Sequence, residues 1–329
     1  MICGLSRTRW KIRMIHGRLF TLAALIVLGT SACARKSEPA ATPAASGPQT
    51  TASTAPVETA AMEDSPRLAT EPDGVHIEYR MFGKGDPAIV LIHGWATDAN
   101  YWNAQFNPLK AKYTVVPIDL AGHGASTRSR TDWSMDKYGE DVATVVRQIP
   151  NSRVILVGHS MGGTVALEAA PLIGDRVIGI IVVDALKSVG LPPAPQAEID
   201  KRVAPFRTNF IGSVRKYVTE ELFEKGADPV FVQKVAYDMS LEPPDVAIPS
   251  LESLLSLDFK TVLPRIHVPV LAINSDLAPT DEARIRKSLP GFKADVIPHT
   301  SHFLMMEVPD RFNPLLLHDI DTLVEAAAR

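Results

Sequence analysis

Ser160 sits in the run Gly158-His159-Ser160-Met161-Gly162, with Gly163 following. The apolar stretch Val154–Val157 leads into it and TVALEAA leads out, so the serine falls on a turn between a strand and a helix. So tight a turn needs glycines two residues either side of the serine, because a side chain there would clash. The turn lifts the hydroxyl above the sheet edge at a helix N-terminus. Backbone N–H groups and the helix dipole there favour an oxyanion. The chemistry on offer is nucleophilic attack on a carbonyl, which needs a base to take the serine proton and an acid to orient that base. The nine histidines supply the base candidates. His93 and His123 sit in Leu91-Ile92-His93-Gly94-Trp95 and Asp119-Leu120-Ala121-Gly122-His123-Gly124-Ala125-Ser126, and His299 and His302 follow KADVIP. Candidate acids are Asp184, which ends IIVVD, then Asp276 in Asn274-Ser275-Asp276, and Asp281.

These residues need a scaffold that brings distant segments to one edge. Short β-branched runs recur at Ala88–Ile92, Thr114–Ile118, Val154–Val157, Val177–Val183, Val268–Ile273 and Lys293–Ile297. They read as strands buried on both faces. An earlier segment, His76–Met81, alternates like an antiparallel edge strand. Helical patterns lie between the runs at Asp136–Gln148 and Met161–Ala170 and after them at Phe312–Ala328. The alternation implies an α/β fold with a mostly parallel, doubly wound sheet. From Lys187 to Pro264 the rhythm breaks. That interval has Pro-rich turns, amphipathic helix patterns and the aromatics Phe206, Phe210, Tyr217, Phe223, Phe231 and Tyr237, and it reads as an inserted helical cap over the carboxyl edge of the strands.

With the strand-end His93-Gly94-Trp95 and the D-x-x-G-H-G-x-S loop at Asp119–Ser126, the chain resembles the α/β-hydrolase fold superfamily. The resemblance runs from Ile77 to Leu317, the cap excepted. It implies that the backbone amides of Trp95 and Met161 form the oxyanion hole, and that His93 and His123 are structural. It places the base in the loop after the last strand. Ser301-His302-Phe303, followed by Glu307-Val308-Pro309, matches the family pattern there with Ser in place of Gly, so the base is His302. The family acid follows the seventh strand, which implies Asp276. Some relatives carry it after the sixth strand instead, where Asp184 stands. A serine nucleophile disfavours epoxide hydrolase and haloalkane dehalogenase chemistry, which need a carboxylate ester intermediate.

Composition fits this picture. The chain has 329 residues, 46% hydrophobic and 22% charged, with a net charge of −3. It has no basic surplus to hold nucleic acid. The two cysteines, Cys3 and Cys33, exclude a disulfide framework or a cysteine metal site in the folded body. No G-x-G-x-x-G, P-loop or His-metal constellation occurs, so no cofactor is implied. Arg7, Arg9, Lys11, Arg13 and Arg18 precede the uncharged run Leu19–Ala32, which reads as a secretory signal. Met14 offers an alternative start. The signal ends Thr30-Ser31-Ala32-Cys33, which resembles a bacterial lipobox with Thr30 in place of the usual Leu. The cysteine would be lipidated and would anchor the protein in the periplasm or at the outer membrane. The alternative is ordinary cleavage after Ala32 and secretion.

The expected domains are a signal at 1–33, a disordered Ala/Thr/Pro linker at 34–66 and a hydrolase core at 67–186 and 265–329. The cap spans 187–264. The expected function is a serine hydrolase that takes a small-molecule acyl substrate, with carboxylic esters first. Lactone, amide, thioester or C–C cleavage by the same triad is the alternative. A non-catalytic ligand-binding envelope lipoprotein is the reading outside the enzymes.

Overall fold

The computed structural model describes residues 65–329. The expected signal at 1–33, with Cys33, and all but the last two residues of the expected linker lie outside them. The strands are β1 (Arg67–Thr70), β2 (His76–Tyr79), β3 (Ala88–Ile92), β4 (Thr114–Ile118), β5 (Val154–His159), β6 (Val177–Val183), β7 (Val270–Ser275) and β8 (Lys293–Ile297). They form one sheet in the order β1-β2-β4-β3-β5-β6-β7-β8. β1 and β2 run antiparallel, and β3 to β8 are parallel to one another. The α/β-hydrolase architecture expected from the sequence is the one observed.

Every residue of β3, β4 and β5 is buried, so both faces of the sheet centre are covered. Each buried Val, Ile or Leu there contributes about 1.5–3 kcal/mol of burial free energy. The covering helices include α1 (Asn103–Lys110), α2 (Met135–Gln148), α3 (Met161–Ile173) and a C-terminal helix, Pro309–Ala327. α3 is buried from Met161 to Ala170, as its Gly- and Ala-rich sequence permits. Between β6 and β7 the chain forms α4 (Gln196–Thr208), α5 (Phe210–Glu221), α6 (Pro229–Met239) and α7 (Pro244–Ser256). Local chemistry sets their starts. The Asn209 side chain accepts the Gly212 N–H at α5, and Asp228 accepts the Val230 N–H at α6, where Pro229 occupies the first turn.

The register brings the strand ends level. Ile92 pairs with Gly158, His159 with Val183, and Val183 with Ile273. The residues that follow these strands therefore share one edge. Among the boundaries that differ from the sequence reading, one bears on the site: β7 begins at Val270 and runs on through Asn274 and Ser275, both buried, rather than stopping at Ile273. That extension decides which acid meets the histidine.

The turn after β5 leaves no room for side chains at its glycines. A Cβ on Gly158 would lie 2.1 Å from the Gly162 carbonyl oxygen, and one on Gly162 would lie 2.4 Å from the His93 carbonyl oxygen. Gly158→Ala is therefore expected to cost at least about 2 kcal/mol in urea unfolding, since backbone must move to admit the methyl. A stability equal to that of the parent chain would contradict this packing.

Candidate active site

Ser160 adopts φ 53°, ψ −115° between β5 and α3. For a residue with a Cβ this backbone costs of order 1–3 kcal/mol, so its surroundings must hold it. They do so by hydrogen bonds. The Ser160 N–H donates to the Val183 carbonyl at 2.9 Å, and the Gly163 N–H donates to the Ser160 carbonyl at 3.0 Å. The side chain stays half-buried at the sheet edge.

The loop after β3 passes against this turn. A Cβ on Gly94 would come within 2.9 Å of His159 Nδ1. Trp95 follows, and Ala96 closes the turn at φ 53°. Met161 is the first residue of α3, so its N–H has no acceptor within the helix. The Trp95 indole N–H donates to the Ala247 carbonyl in α7 at 2.7 Å. Its ring packs edge-on against Phe206 and Tyr217 of the cap. The loop after β3 is thus clamped by the segment between β6 and β7.

His302 lies in the loop after β8, and the carboxylate it meets is that of Asp184. His302 Nδ1 is 2.6 Å from Asp184 Oδ2. Asp276, the acid implied for this role, is exposed and bonds backbone amides of the histidine loop instead. Its carboxylate accepts the His299 N–H at 3.0 Å and the Thr300 N–H at 3.3 Å. Those bonds hold its carboxyl below its ordinary range. The physical reason is the length of β7. The strand carries Ser275 past the end of β6, and Asp276 emerges beyond the sheet, where it caps the loop that carries the histidine. Asp281 caps a short helix by accepting the Arg284 N–H.

Asp184 is 7% exposed and sits at φ 45°. Burial pushes its carboxyl up. The His302 imidazole and the Lys187 ammonium outweigh that and hold it well below the usual carboxylate range. Oδ1 accepts the Ser275 N–H at 2.8 Å and the Ser275 hydroxyl at 2.7 Å, with Lys187 Nζ also at 2.7 Å. The sequence had marked Asp184 as the alternative acid. Ser275 and Lys187 were missed, although the D-x-x-K spacing was available.

The other histidines here are neutral braces. His93 Nε2 accepts the Leu120 N–H at 3.0 Å, so Nδ1 carries the proton and donates to the Gly94 carbonyl at 2.8 Å. His123 lies 3.0 Å through Nδ1 from the Ala121 carbonyl, and burial pushes it down to about 3. His159, pushed down to about 3 by burial, donates from Nε2 to the His302 carbonyl at 2.9 Å. The brace supplied by His159 was missed in the sequence because it reaches across 143 residues.

The cap holds the histidine loop directly. The His302 N–H donates to the Leu222 carbonyl at 3.0 Å. Ser301 Oγ accepts the Glu224 N–H at 3.1 Å and donates to Glu307 Oε1 at 3.1 Å, while the Ser301 N–H donates to Glu307 Oε2. Serine in place of the family glycine thus ties the loop to the cap.

A cavity of about 370 Å³ lies beside the oxyanion loop, lined by Thr97, Asp98, Tyr101, Arg128, Asp238 and Glu242 among others. Ser160 is not among its lining residues. Among the described residues no three His, Cys, Asp or Glu side chains gather as metal ligands.

Comparison with known proteins follows this geometry. The model of the alpha/beta hydrolase family matches residues 89–315. A relative from Acinetobacter baylyi, 3-oxoadipate enol-lactonase 2, is 26% identical over 247 residues, or 73% of this chain and 91% of the relative. An uncharacterized protein of Mycobacterium tuberculosis is 36% identical over 121 residues, or 36% of this chain. The matched stretch spans about a third of that relative's length, 35%. Among solved structures, an esterase from Exiguobacterium antarcticum superposes with a TM-score of 0.68 at 21% identity, covering 77% of this chain and 98% of the esterase.

Glu242 supplies a pH test of the cap edge. Its carboxyl lies 3.8 Å from buried His123 Nε2. Burial pushes it up to about 8, against Arg128, with Asp98 and Asp119 adding to the rise. The folded chain then holds a proton that the unfolded chain releases near the ordinary glutamate range. Stability falls as pH rises from about 5 to 8. Glu242→Gln is expected to match the parent at pH 5 and to exceed it by about 1–3 kcal/mol at pH 9 in urea unfolding. A difference independent of pH would contradict the buried carboxyl.

Proposed function

Because the chain belongs to the alpha/beta hydrolase family, we propose that it cleaves carboxylic esters through Ser160, His302 and Asp184 by way of an acyl-enzyme. The observation that carries the reading is the 2.6 Å contact between His302 Nδ1 and the buried Asp184 carboxylate, on the edge where Ser160 is presented. An ionised Asp184 fixes the proton on Nδ1 and leaves Nε2 with a free lone pair. Nε2 takes the Ser160 proton as Oγ attacks the acyl carbonyl. The Trp95 and Met161 amides stabilise the oxyanion. The intermediate collapses as His302 returns the proton to the leaving alkoxide and frees the alcohol. Water, deprotonated by the same Nε2, then attacks the acyl-enzyme, and His302 returns that proton to Ser160 Oγ as the Oγ–acyl bond breaks and the acid leaves.

Lactones are the second substrate class, favoured by the enol-lactonase relative. A lactone ring opens by the same steps, with the leaving alcohol still tethered to the acyl group.

The 329-residue chain is expected to take up one fluorophosphonate adduct by intact mass, and Ser160→Ala and His302→Ala are expected to lose it. Asp184→Asn should lower kcat on a p-nitrophenyl ester by roughly 10³–10⁴-fold, as loss of the tautomer-fixing acid does elsewhere, while Asp276→Asn should stay within about threefold of the parent. The reverse order would sink Asp184 as the acid. An unlabelled, folded chain would sink the nucleophile.

We further propose export with lipidation of Cys33, on the strength of Thr30-Ser31-Ala32-Cys33 after a basic and then apolar run. In a bacterial host the protein should fractionate with membranes, and Cys33→Ser should release it to the soluble periplasmic fraction. Equal partition of both forms would refute the anchor.

A further inference from the structure

Asp184 receives more than hydrogen bonding requires. Its Oδ1 already accepts the Ser275 N–H and the Ser275 hydroxyl. Lys187 nevertheless brings a cation to the same oxygen at 2.7 Å. Two more contacts, to the Ser275 carbonyl at 3.2 Å and the Ser275 hydroxyl at 3.3 Å, occupy the ammonium, so it is directed at this cluster and not at a ligand. Its approach is built into the backbone. Asp184 and Leu186 both adopt positive φ, 45° and 59°, which turns the segment back on itself. Arg284 pins that turn by donating to the Lys187 carbonyl at 2.5 Å and to the Val189 carbonyl at 3.0 Å.

We infer that Lys187 is a positioning residue that acts on His302 through Asp184, holding the far carboxylate oxygen and opposing the positive charge His302 acquires when it takes the serine proton. The inference rests on the triad reading proposed above. The other groups facing the pair are His159 of β5, neutral because of its burial, Ser275 of β7 and, beside His302 on its own loop, Ser301 with Glu307. None of the described neighbours other than Lys187 brings a cation to this carboxylate. In a site this close to solvent a charge a few ångströms beyond the carboxylate still acts on the imidazolium. With the lysine in place, the buried carboxylate stabilises the imidazolium less.

The test is titration of the 329-residue chain labelled at histidine Cε1 and followed by NMR. The His302 signal is identified by its loss in His302→Gln. Lys187→Met is expected to move the His302 midpoint upward by about half to one pH unit, and Lys187→Arg to leave it within about 0.2 unit of the parent. The acid limb of kcat/KM should move with it. An unmoved midpoint in a folded Lys187→Met chain overturns the inference. If Lys187→Met fails to fold, Lys187→Gln is read in its place. Loss of fold in both also overturns it, because the lysine would then be a structural tie. The titration does not depend on turnover. A shifted midpoint in a chain that takes no fluorophosphonate would uphold the lysine's action on His302 and remove the hydrolase reading. A labelled chain with an unmoved midpoint would do the opposite.

Discussion

The site depends on keeping one buried carboxylate ionised. Removing Asp184 from water disfavours its charge, and an unpaired buried charge of this kind would neutralise by taking a proton. Four donors from three segments prevent that: His302 Nδ1, the Ser275 amide and hydroxyl, and Lys187 Nζ. Each donor needs a separate part of the chain to arrive on time. β6 and β7 must be level so that Ser275 stands beside Asp184, and their register through Val183 and Ile273 provides it. The Asp184 N–H donates to the Ile273 carbonyl and the Ser160 N–H to the Val183 carbonyl, so the sheet ladder itself continues into the site. The same hydrogen bonds that end the strands therefore set the spacing between Ser160 and Asp184.

The second dependence runs upward into the cap. The His302 amide finds its acceptor in Leu222, and Ser301 holds Glu224. Phe223 between them packs on Phe303, which in turn packs on His302 and His159. On the opposite side of the site the Trp95 indole is bound to Ala247. Both the loop that carries His302 and the loop after β3 thus take one of their fixing bonds from the segment inserted between β6 and β7. The inserted segment is thus tied by hydrogen bonds to both loops. A motion that lifted Leu222–Glu224 would leave the His302 amide without its partner, which carries the usual penalty for an unpaired polar group away from water.

What was legible in the sequence is what short-range rules decide. The tight turn at Ser160 is written in glycines two residues away, and the strand before it and helix after it are written in hydrophobic periodicity. Seven of the eight strands were legible to within two residues, and β1 (Arg67–Thr70) was not. The acid was not settled by such rules, because it depends on where β7 stops. Asn274 and Ser275 look like loop residues by composition, yet both are buried and extended. Asn274 earns its place by accepting the Ala185 N–H at 3.2 Å, and Ser275 by bonding Asp184. Their partners lie 89 and 91 residues away, beyond any local pattern. Two polar residues satisfied by the site itself extended the strand, and the extension displaced Asp276 from the role its position in the chain implied.

The histidines show the same logic from the other side. His93, His123 and His159 are all fully or almost fully buried, and burial alone keeps an imidazole neutral. A neutral imidazole donates at one nitrogen and accepts at the other, which suits a brace between two backbone groups. His93 uses both ends, between Leu120 and Gly94, and so ties the loop after β4 to the loop after β3. His302 differs in one respect: an ionised carboxylate faces it. Only with that partner can an imidazole at this edge carry a positive charge through a reaction. His302 is thus distinguished from its neighbours by the carboxylate beside it more than by its position in a motif. The sheet register that places Asp184 is therefore also what selects His302 among the histidines gathered there.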